Sequence, residues 1–432
     1  MLIEFTCSNH FSILDPVTLS FVASSDKKRI EQTYPCNKMR VLSSAIIYGA
    51  NGSGKSNLLT ALRCMQSLVL ENMGFRPNVT VLKIPHKLAG KDRDSEYKIN
   101  FVKNGFPYSY GYVLGSEGVK HEFLYTYPNG RKTKVFDRVG EVVTFGSKYK
   151  KEDFSAARKA LRPNRLFLTC ASDLCNVQEC LETCSFICDD LVFCMSNRQR
   201  IVTTNYTGGQ GAPHEEFWED YSLRRIKEDE SVRKQVLSLM HSFGYPLEDI
   251  EVESKTLSSA DFPPIFTEDA ITKMQKEKIQ TIRAKMNWGQ FVTSLSSEES
   301  SGIRKLCWFL VPFLDAFKEG KVLICDELDN HLHESVVSRL IEIINQHNDN
   351  EHFPQFLLTA HSSSLLKSQL FRRDQIWFTE LRPEDRSTDL YSLAEIKDVR
   401  ADESFQNGYL SGRYGAIPAL NYDFRFPTEG AE

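Results

Sequence analysis

Residues Gly49-Ala50-Asn51-Gly52-Ser53-Gly54-Lys55-Ser56 fit the spacing G-x-x-x-x-G-K-[ST]. Glycines at this spacing let successive backbone N–H groups turn inward around a polyphosphate. A helix starting directly behind them adds favourable partial charge at its N-terminus. In that frame Lys55 reaches the β- and γ-phosphates, the Ser56 hydroxyl ligates magnesium, and Asn57 follows at the helix start. The expected ligands are ATP and Mg2+, and the expected contacts are Gly49, Asn51, Gly52, Ser53, Gly54, Lys55, Ser56 and Asn57.

A phosphate loop needs a metal-holding carboxylate from a neighbouring strand. In "KVLICDELDNHLH" the apolar run Val322 to Cys325 ends in Asp326 and Glu327. Asp326 is placed to hold magnesium through water, and Glu327 to accept a proton from an attacking water. A second apolar run, "QFLLTA", ends in His361, a residue type suited to sensing a γ-phosphate and orienting that water. Upstream, Ser300-Ser301-Gly302 precedes the helix-like run "IRKLCWFL", which makes another helix start able to face an anion. It has no evident ligand at the phosphate loop of its own chain.

These groups must be positioned by elements. The stretch "VLSSAIIY" reads as a buried strand before the loop, and Leu58, Leu59, Leu62, Met65 and Leu68 repeat at helical spacing after it. Four alternating stretches, "EYKINFV", "YSYGYVL", "HEFLYTYP" and "TKVFDRV", are punctuated by Asn104-Gly105 and Asn129-Gly130, as in antiparallel hairpins. From about 150 to 290 the pattern turns helical and more charged, interrupted by the loop "NYTGGQGAPHEE" and by Pro263-Pro264. No sustained heptad occurs there, which argues against a long coiled-coil arm and for a compact insertion. The expected organisation is an N-terminal part of the head over 1–148, a helical insertion over 149–290 and a C-terminal part over 291–432.

Composition narrows the class. A hydrophobic content of 41% with 25% charged residues suits a soluble globular protein, and a net charge of −4 gives no global reason to expect nucleic acid. Local basic groupings exist at Lys148, Lys150 and Lys151, at Arg162 and Arg165, and at Arg198 and Arg200. They read as a solvated helix face or as a phosphate-contacting surface completed in a dimer. "MLIEFTCSNH" lacks the order of a signal peptide, and "LCWFLVPFLDAF" is too short to span a bilayer, so a cytoplasmic protein is expected. Eleven cysteines suit a reducing compartment. Six lie between Cys170 and Cys194 without a CxxC pair, and Cys180, Cys184 and Cys188 recur every four residues. They read as small buried hydrophobes at a helix contact rather than as a metal site.

The order phosphate loop, serine-glycine motif, Asp-Glu strand and histidine strand resembles the ABC-type ATPase heads, in the branch with RecF, SMC and OLD proteins. The chain also looks like the ATP-binding proteins encoded in bacterial defence loci beside a separate effector gene. That likeness is carried by Glu299 to Ile303, by Asp326 to His333, by Arg372 to Phe378 and by Gly412 to Pro418. It departs at "SNHFSIL", where the usual arginine is missing, and at Ser301, where glycine or aspartate is usual. No glutamine-bearing loop stands out, since Gln66 falls on the first helix and His86 matches by position alone.

The resemblance implies an α/β fold: an ABC-type P-loop ATPase head with a mixed β-sheet core, an antiparallel β-subdomain and a helical insertion. It implies two subunits packed head to tail, with Ser300 and Gly302 of one meeting the γ-phosphate held by Lys55 of the other. Asn330 to His333 would then run along the seam. The function implied is an ATPase with Glu327, His361 and Lys55 as catalytic groups and Ser56 and Asp326 at the metal. It would dimerise and gate a separate nuclease or toxin in phage defence. A RecF-like DNA-binding repair head is the rival, and a scaffold with negligible turnover is disfavoured by Glu327.

Overall fold

The computed structural model describes residues 1–71, 74, 81, 83–90, 92–195, 200–203, 214–256, 280–346, 350–367 and 369–418. Arg198, Pro263-Pro264 and most of the "NYTGGQGAPHEE" loop lie outside the described residues.

Strands β1 (Leu2–Ser8) and β2 (Val17–Ser20) pair antiparallel, and β3 (Thr33–Cys36) with β4 (Met39–Leu42) form a small hairpin. The stretch read as one strand therefore divides: Val41 and Leu42 end β4, while β5 (Ser44–Tyr48) enters another sheet. The phosphate loop and α1 (Lys55–Glu71) follow, with Leu58, Leu59, Leu62, Met65 and Leu68 buried as their spacing requires. Then come β6 (Ser95–Lys103), β7 (Phe106–Leu114), β8 (Val119–Thr126), β9 (Thr133–Val139) and β10 (Val142–Phe145). Asn104-Gly105 forms the two-residue turn between β6 and β7, in which Lys103 pairs with Phe106. With β1 and β2 these strands make a seven-stranded antiparallel sheet in the order β10-β9-β8-β7-β6-β1-β2.

The stretch 149–290 carries α2 (Ser155–Ala160), α3 (Phe167–Leu174), α4 (Gln178–Ser185), a π turn over Phe186–Asp190, and β11 (Leu191–Cys194). After β12 (Arg200–Thr203) and β13 (His214–Phe217) come α5 (Trp218–Glu228), α6 (Glu230–Ser242), β14 (Asp249–Thr256) and β15 (Gln280–Asn287). It is thus helical with strands interleaved, and β11 pairs in parallel with a strand of the core sheet. A four-residue apolar run such as "LVFC" cannot be told from a helix segment by periodicity. Its partner strand, more than a hundred residues onward, decides.

After β16 (Val292–Ser294), the C-terminal part has α7 (Ser301–Glu319), β17 (Val322–Cys325), α8 (Glu334–Gln346), β18 (Gln355–Thr359), β19 (Ile376–Leu381), β20 (Thr388–Ser392) and α9 (Phe405–Leu410). The central sheet runs β11-β17-β18-β5-β19-β20, parallel except for the β19–β20 hairpin. Both of its faces are buried. Along β5, Ala45 and Ile47 pack toward the antiparallel sheet, α1, α3 and α4, whereas Ile46 and Tyr48 pack toward α5 to α8. Strand β17 alternates likewise, Val322 and Ile324 to one side and Leu323 and Cys325 to the other. Such strands hold their C-terminal ends in fixed register, and the reactive groups sit at those ends.

The six cysteines from Cys170 to Cys194 are free thiols, all but Cys175 buried. Burial pushes Cys170 up to about 12 and raises Cys180, Cys184, Cys188 and Cys194, as for packing groups. Among the described residues no group of three or more His, Cys, Asp or Glu could hold a metal, and no helix is long and apolar enough to cross a membrane.

Candidate functional site

The phosphate loop joins the end of β5 to the start of α1 and is gripped from the side by the β19–β20 hairpin. Ser53 Oγ meets Thr379 Oγ1 at 2.6 Å, and Thr388 Oγ1 donates to the Ser53 carbonyl at 2.9 Å. Gly54 has φ 108°, and a Cβ there would stand 2.1 Å from Thr388 Oγ1, so only glycine fits. Ser12 Oγ completes this side, bonding Thr388 Oγ1 at 2.6 Å and accepting from Asn57 Nδ2 at 2.7 Å. Asn57 thus turns to the N-terminal segment "SNHFSIL".

Lys55 is only 5% exposed, and its Nζ donates to the carbonyls of Gly49 at 2.7 Å and Ala50 at 3.2 Å. Burial lowers the pKa of its ammonium, opposed by the nearby carboxylates of Asp326, Glu327 and Asp329.

Opposite the loop, the end of β17 presents the carboxylates. Asp326 Oδ2 accepts from Ser56 Oγ at 2.7 Å, and its Oδ1 accepts from Thr359 Oγ1 at 2.5 Å. Thr359 also takes the Glu327 N–H at 2.7 Å, so one strand-end hydroxyl fixes both acidic residues. Glu327 lies at φ 51°, a left-handed conformation that non-glycine residues rarely adopt. Its Oε1 stands 3.4 Å from His361 Nε2, and its Oε2 accepts from Asn330 Nδ2 at 3.2 Å. Asp329 Oδ2 receives the N–H groups of His361 and Ser362, which ties the histidine strand to the same turn.

Lys305 of α7 holds that turn from beneath. Its Nζ donates to the carbonyls of Glu327, Leu328 and Asn330 at 2.7, 3.0 and 2.9 Å. At the head of α7, Ser300 is the N-cap, accepting from Ile303 N at 3.3 Å. A Cβ on Gly302 would stand 2.6 Å from the His331 carbonyl, so this helix start lies against the Asp-Glu turn. Ser300 and Ser301 are exposed.

The loop residues 49–57 line a cleft of about 1250 Å³ together with Glu327, His361, the β19–β20 hairpin and the segment 409–418. Among the described residues that line it, none comes from 300–302. The sequence-selected groups therefore divide: Lys55, Ser56, Asp326, Glu327 and His361 come together, and Ser300 with Gly302 stands apart. Residue types fit Mg-ATP. A serine hydroxyl and a carboxylate 2.7 Å apart are hard oxygen donors, and neither Gly49 nor Gly54 has room for a Cβ. Thr359, Thr379, Thr388 and Lys305 escaped the sequence reading. Lys305 left one signal, a charge on the otherwise apolar face carrying Leu306, Phe309 and Pro312.

Other sequence candidates are engaged elsewhere. Gln66 donates to the carbonyls of Ile187, Cys188 and Leu191, pinning α1 to the π turn and β11. His86 is buried, its N–H on Asn9 Oδ1. Arg372 and Asp374 form a buried pair that also binds Ser24, anchoring β19. Of the basic groupings, Lys148 pairs with Glu179 and Arg165 donates to the Ala160 carbonyl.

A family model described as "AAA domain, putative AbiEii toxin, Type IV TA system" matches residues 44–141 and 214–367, more than half of the chain. The chain belongs to this AAA-domain family. With the phosphate loop at the end of β5 and the Asp-Glu and histidine strands beside it, this member is an ABC-type ATPase head of mixed α/β fold. No curated protein matches it. Similar solved structures include an Smc head bound to the C-terminal winged-helix domain of ScpA, 13% identical, covering 90% of this chain and 97% of that one, with TM-score 0.45. The SMC head domain from Thermotoga maritima is 13% identical over 90% and 98%, with TM-score 0.39. An Smc head with an extended coiled coil, bound to the C-terminal domain of ScpA from Pyrococcus furiosus, is 11% identical over 90% and 96%, with TM-score 0.38.

Proposed function

We propose that this AAA-domain protein binds and hydrolyses Mg-ATP, and that ATP closes two copies head to tail to gate a separate effector, a nuclease or toxin, in phage defence. The observation that carries the reading is the convergence of Ser56, Glu327 and His361 on one cleft, with Asp326 bonded to Ser56, while Ser300 and Gly302 stand outside it. Ser56 and Asp326 would hold magnesium, which when bound neutralises charge developing on the transferred phosphoryl oxygens. Lys55 releases the Gly49 and Ala50 carbonyls and grips the phosphates. Glu327 accepts the water's proton, and His361 orients that carboxylate from 3.4 Å. The exposed start of α7 supplies an anion-facing helix terminus to the partner's nucleotide. Because Gly302 and Lys305 bear on the Asp-Glu turn, docking there would reach Glu327 through main-chain contacts.

Glu327→Gln tests the core of this. Turnover should fall by about 10²–10⁴-fold with ATP binding retained, and light scattering should show an ATP-dependent dimer. Unchanged turnover removes Glu327 as the base, and a monomer at saturating ATP removes the head-to-tail closure. The effector role draws on the toxin–antitoxin description of the family. Co-purification of a nuclease or toxin encoded beside this chain supports it, and an isolated housekeeping gene counts against it. A RecF-like repair head instead requires duplex DNA to stimulate hydrolysis at low salt.

A further inference from the structure

The cleft is larger than a phosphate tail requires. At about 1250 Å³ it exceeds the range of roughly 300–1,000 Å³ typical of small-ligand sites. One end holds Ser56, Glu327 and His361, the metal and water end of the proposed reaction. Beyond the loop on the far side the lining changes character, to Leu381, Pro383 and Arg386 of the β19–β20 hairpin and Leu410 and Ile417 of the C-terminal segment. Leu410 is 59% and Ile417 38% exposed, large apolar side chains left open to solvent at a cleft wall.

That wall is built rather than loose. Tyr391 OH donates to the Tyr414 carbonyl at 2.8 Å, and Tyr409 OH to the Ala416 carbonyl at 3.2 Å. Ala416 is held at φ 57°, a left-handed conformation that an alanine keeps only when its surroundings fix it. The first bond latches the segment 409–418 to the same hairpin that grips the phosphate loop, and the second closes the segment on itself. Glu380, bonded to Tyr391 OH through Oε2, puts a carboxylate at this end, unfavourable for phosphate and well suited to accepting from a sugar hydroxyl.

We propose that the hairpin residues Leu381, Pro383 and Arg386 and the C-terminal wall residues Leu410 and Ile417 form the nucleoside subsite of the cleft. The apolar side chains flank the faces of the base, and the planar guanidinium of Arg386 stacks or hydrogen-bonds along it. Glu380 faces the ribose. The subsite rests on the reading of residues 49–56 as the phosphate loop. It places base selection on the last described segment of the chain, on the opposite side of β5 from the Asp-Glu strand.

The test compares two ligands that share phosphates and differ in the nucleoside: Mg-ATP and Mg-tripolyphosphate, titrated calorimetrically. The double variant Leu410→Ser/Ile417→Ser alters exposed side chains and should keep the wild-type melting temperature. It should weaken ATP about tenfold and leave tripolyphosphate unchanged. Arg386→Ala should weaken ATP by a few-fold with the same selectivity. Equal loss for both ligands, or no loss for either, overturns the nucleoside subsite. Lys55→Ala separates the two levels. Loss of both ligands sustains the phosphate-loop reading whatever the other variants do, and retention of both overturns that reading itself.

Discussion

Lys55 and Lys305 each place a buried ammonium on main-chain carbonyls, in the two halves of one site, and they differ in what the arrangement permits. Lys55 bonds two carbonyls five and six residues back on its own loop, and lysine has three protons to donate. Lys305 bonds three carbonyls, all more than twenty residues onward, in the turn that follows β17. The first lysine can release local partners for an incoming phosphate at little cost. The second is saturated, and releasing it would strand three carbonyls next to Glu327 and His331, both in left-handed conformations at φ 51° and 64°. A buried lysine is a mobile ligand group in one half and a fixed strut in the other.

Replacing each lysine should break the comparison most sharply. Lys55→Ala is expected to abolish measurable nucleotide binding and to lower hydrolysis by about 10²–10³-fold, as loss of a preorganised charge does. Its unfolding free energy should change by no more than about 1 kcal/mol, because burial already disfavours that ammonium. Lys305→Met should do the reverse, costing about 3–5 kcal/mol in urea unfolding by leaving buried carbonyls unpaired. In that variant kcat should fall while ATP affinity stays within about twofold, and Lys305→Arg should restore part of the stability. If Lys305→Met lost ATP affinity with its fold intact, the strut would be a ligand group after all.

Acid should distinguish the halves next. His10 lies in the N-terminal turn whose Ser12 backs the phosphate loop, with its Nδ1 beside Tyr97 OH at 2.9 Å. Burial holds its pKa at about 4, below the ordinary 6.5. Above pH 6.5 the ring is neutral in both folded and unfolded chains and has no effect on pH dependence. Between 6.5 and about 4 the unfolded chain takes up a proton that the folded chain refuses, so stability falls, by about 3 kcal/mol in all. Urea titrations across this window should lose most of that acid limb in His10→Gln. An unchanged limb would assign the acid sensitivity elsewhere.

What was legible in the sequence follows the same division. The phosphate loop is a local pattern, eight consecutive residues between an apolar run and a helix, so its identity and its flanking elements could be read directly. The hairpins of the antiparallel sheet were likewise local, set by alternation and by turns such as Asn104-Gly105. Asp326, Glu327 and His361 could be selected because each ends an apolar run. Their mutual geometry depends on Thr359 and Lys305, which meet them only after β17 and β18 pair. β11 was illegible for a related reason, since it is a strand by virtue of its partner Val322 to Cys325. The threonines on the β19–β20 hairpin lie more than 320 residues from the loop they clamp, and no short-range signal marks them.

That clamp yields the smallest expected effect and sharpens the comparison on the loop side. Thr388 donates to the Ser53 carbonyl at 2.9 Å and meets Ser12 Oγ at 2.6 Å, and it closes over the space where Gly54 lacks a Cβ. Thr388→Val keeps the shape and removes the hydroxyl, which costs about 1 kcal/mol if the Ser53 carbonyl finds water in exchange. The loss should fall on the loop alone, raising the Kd for Mg-ATP by about fivefold. Thr388→Ser, which keeps the donor, should bind ATP nearly as the wild type does. Glu327 draws its support from Thr359 and Lys305, so single-turnover hydrolysis at saturating ATP should stay within about twofold in both variants. A fall in that rate with unchanged affinity would mean that the two halves share their support, and the separation between a yielding loop and a fixed turn would fail.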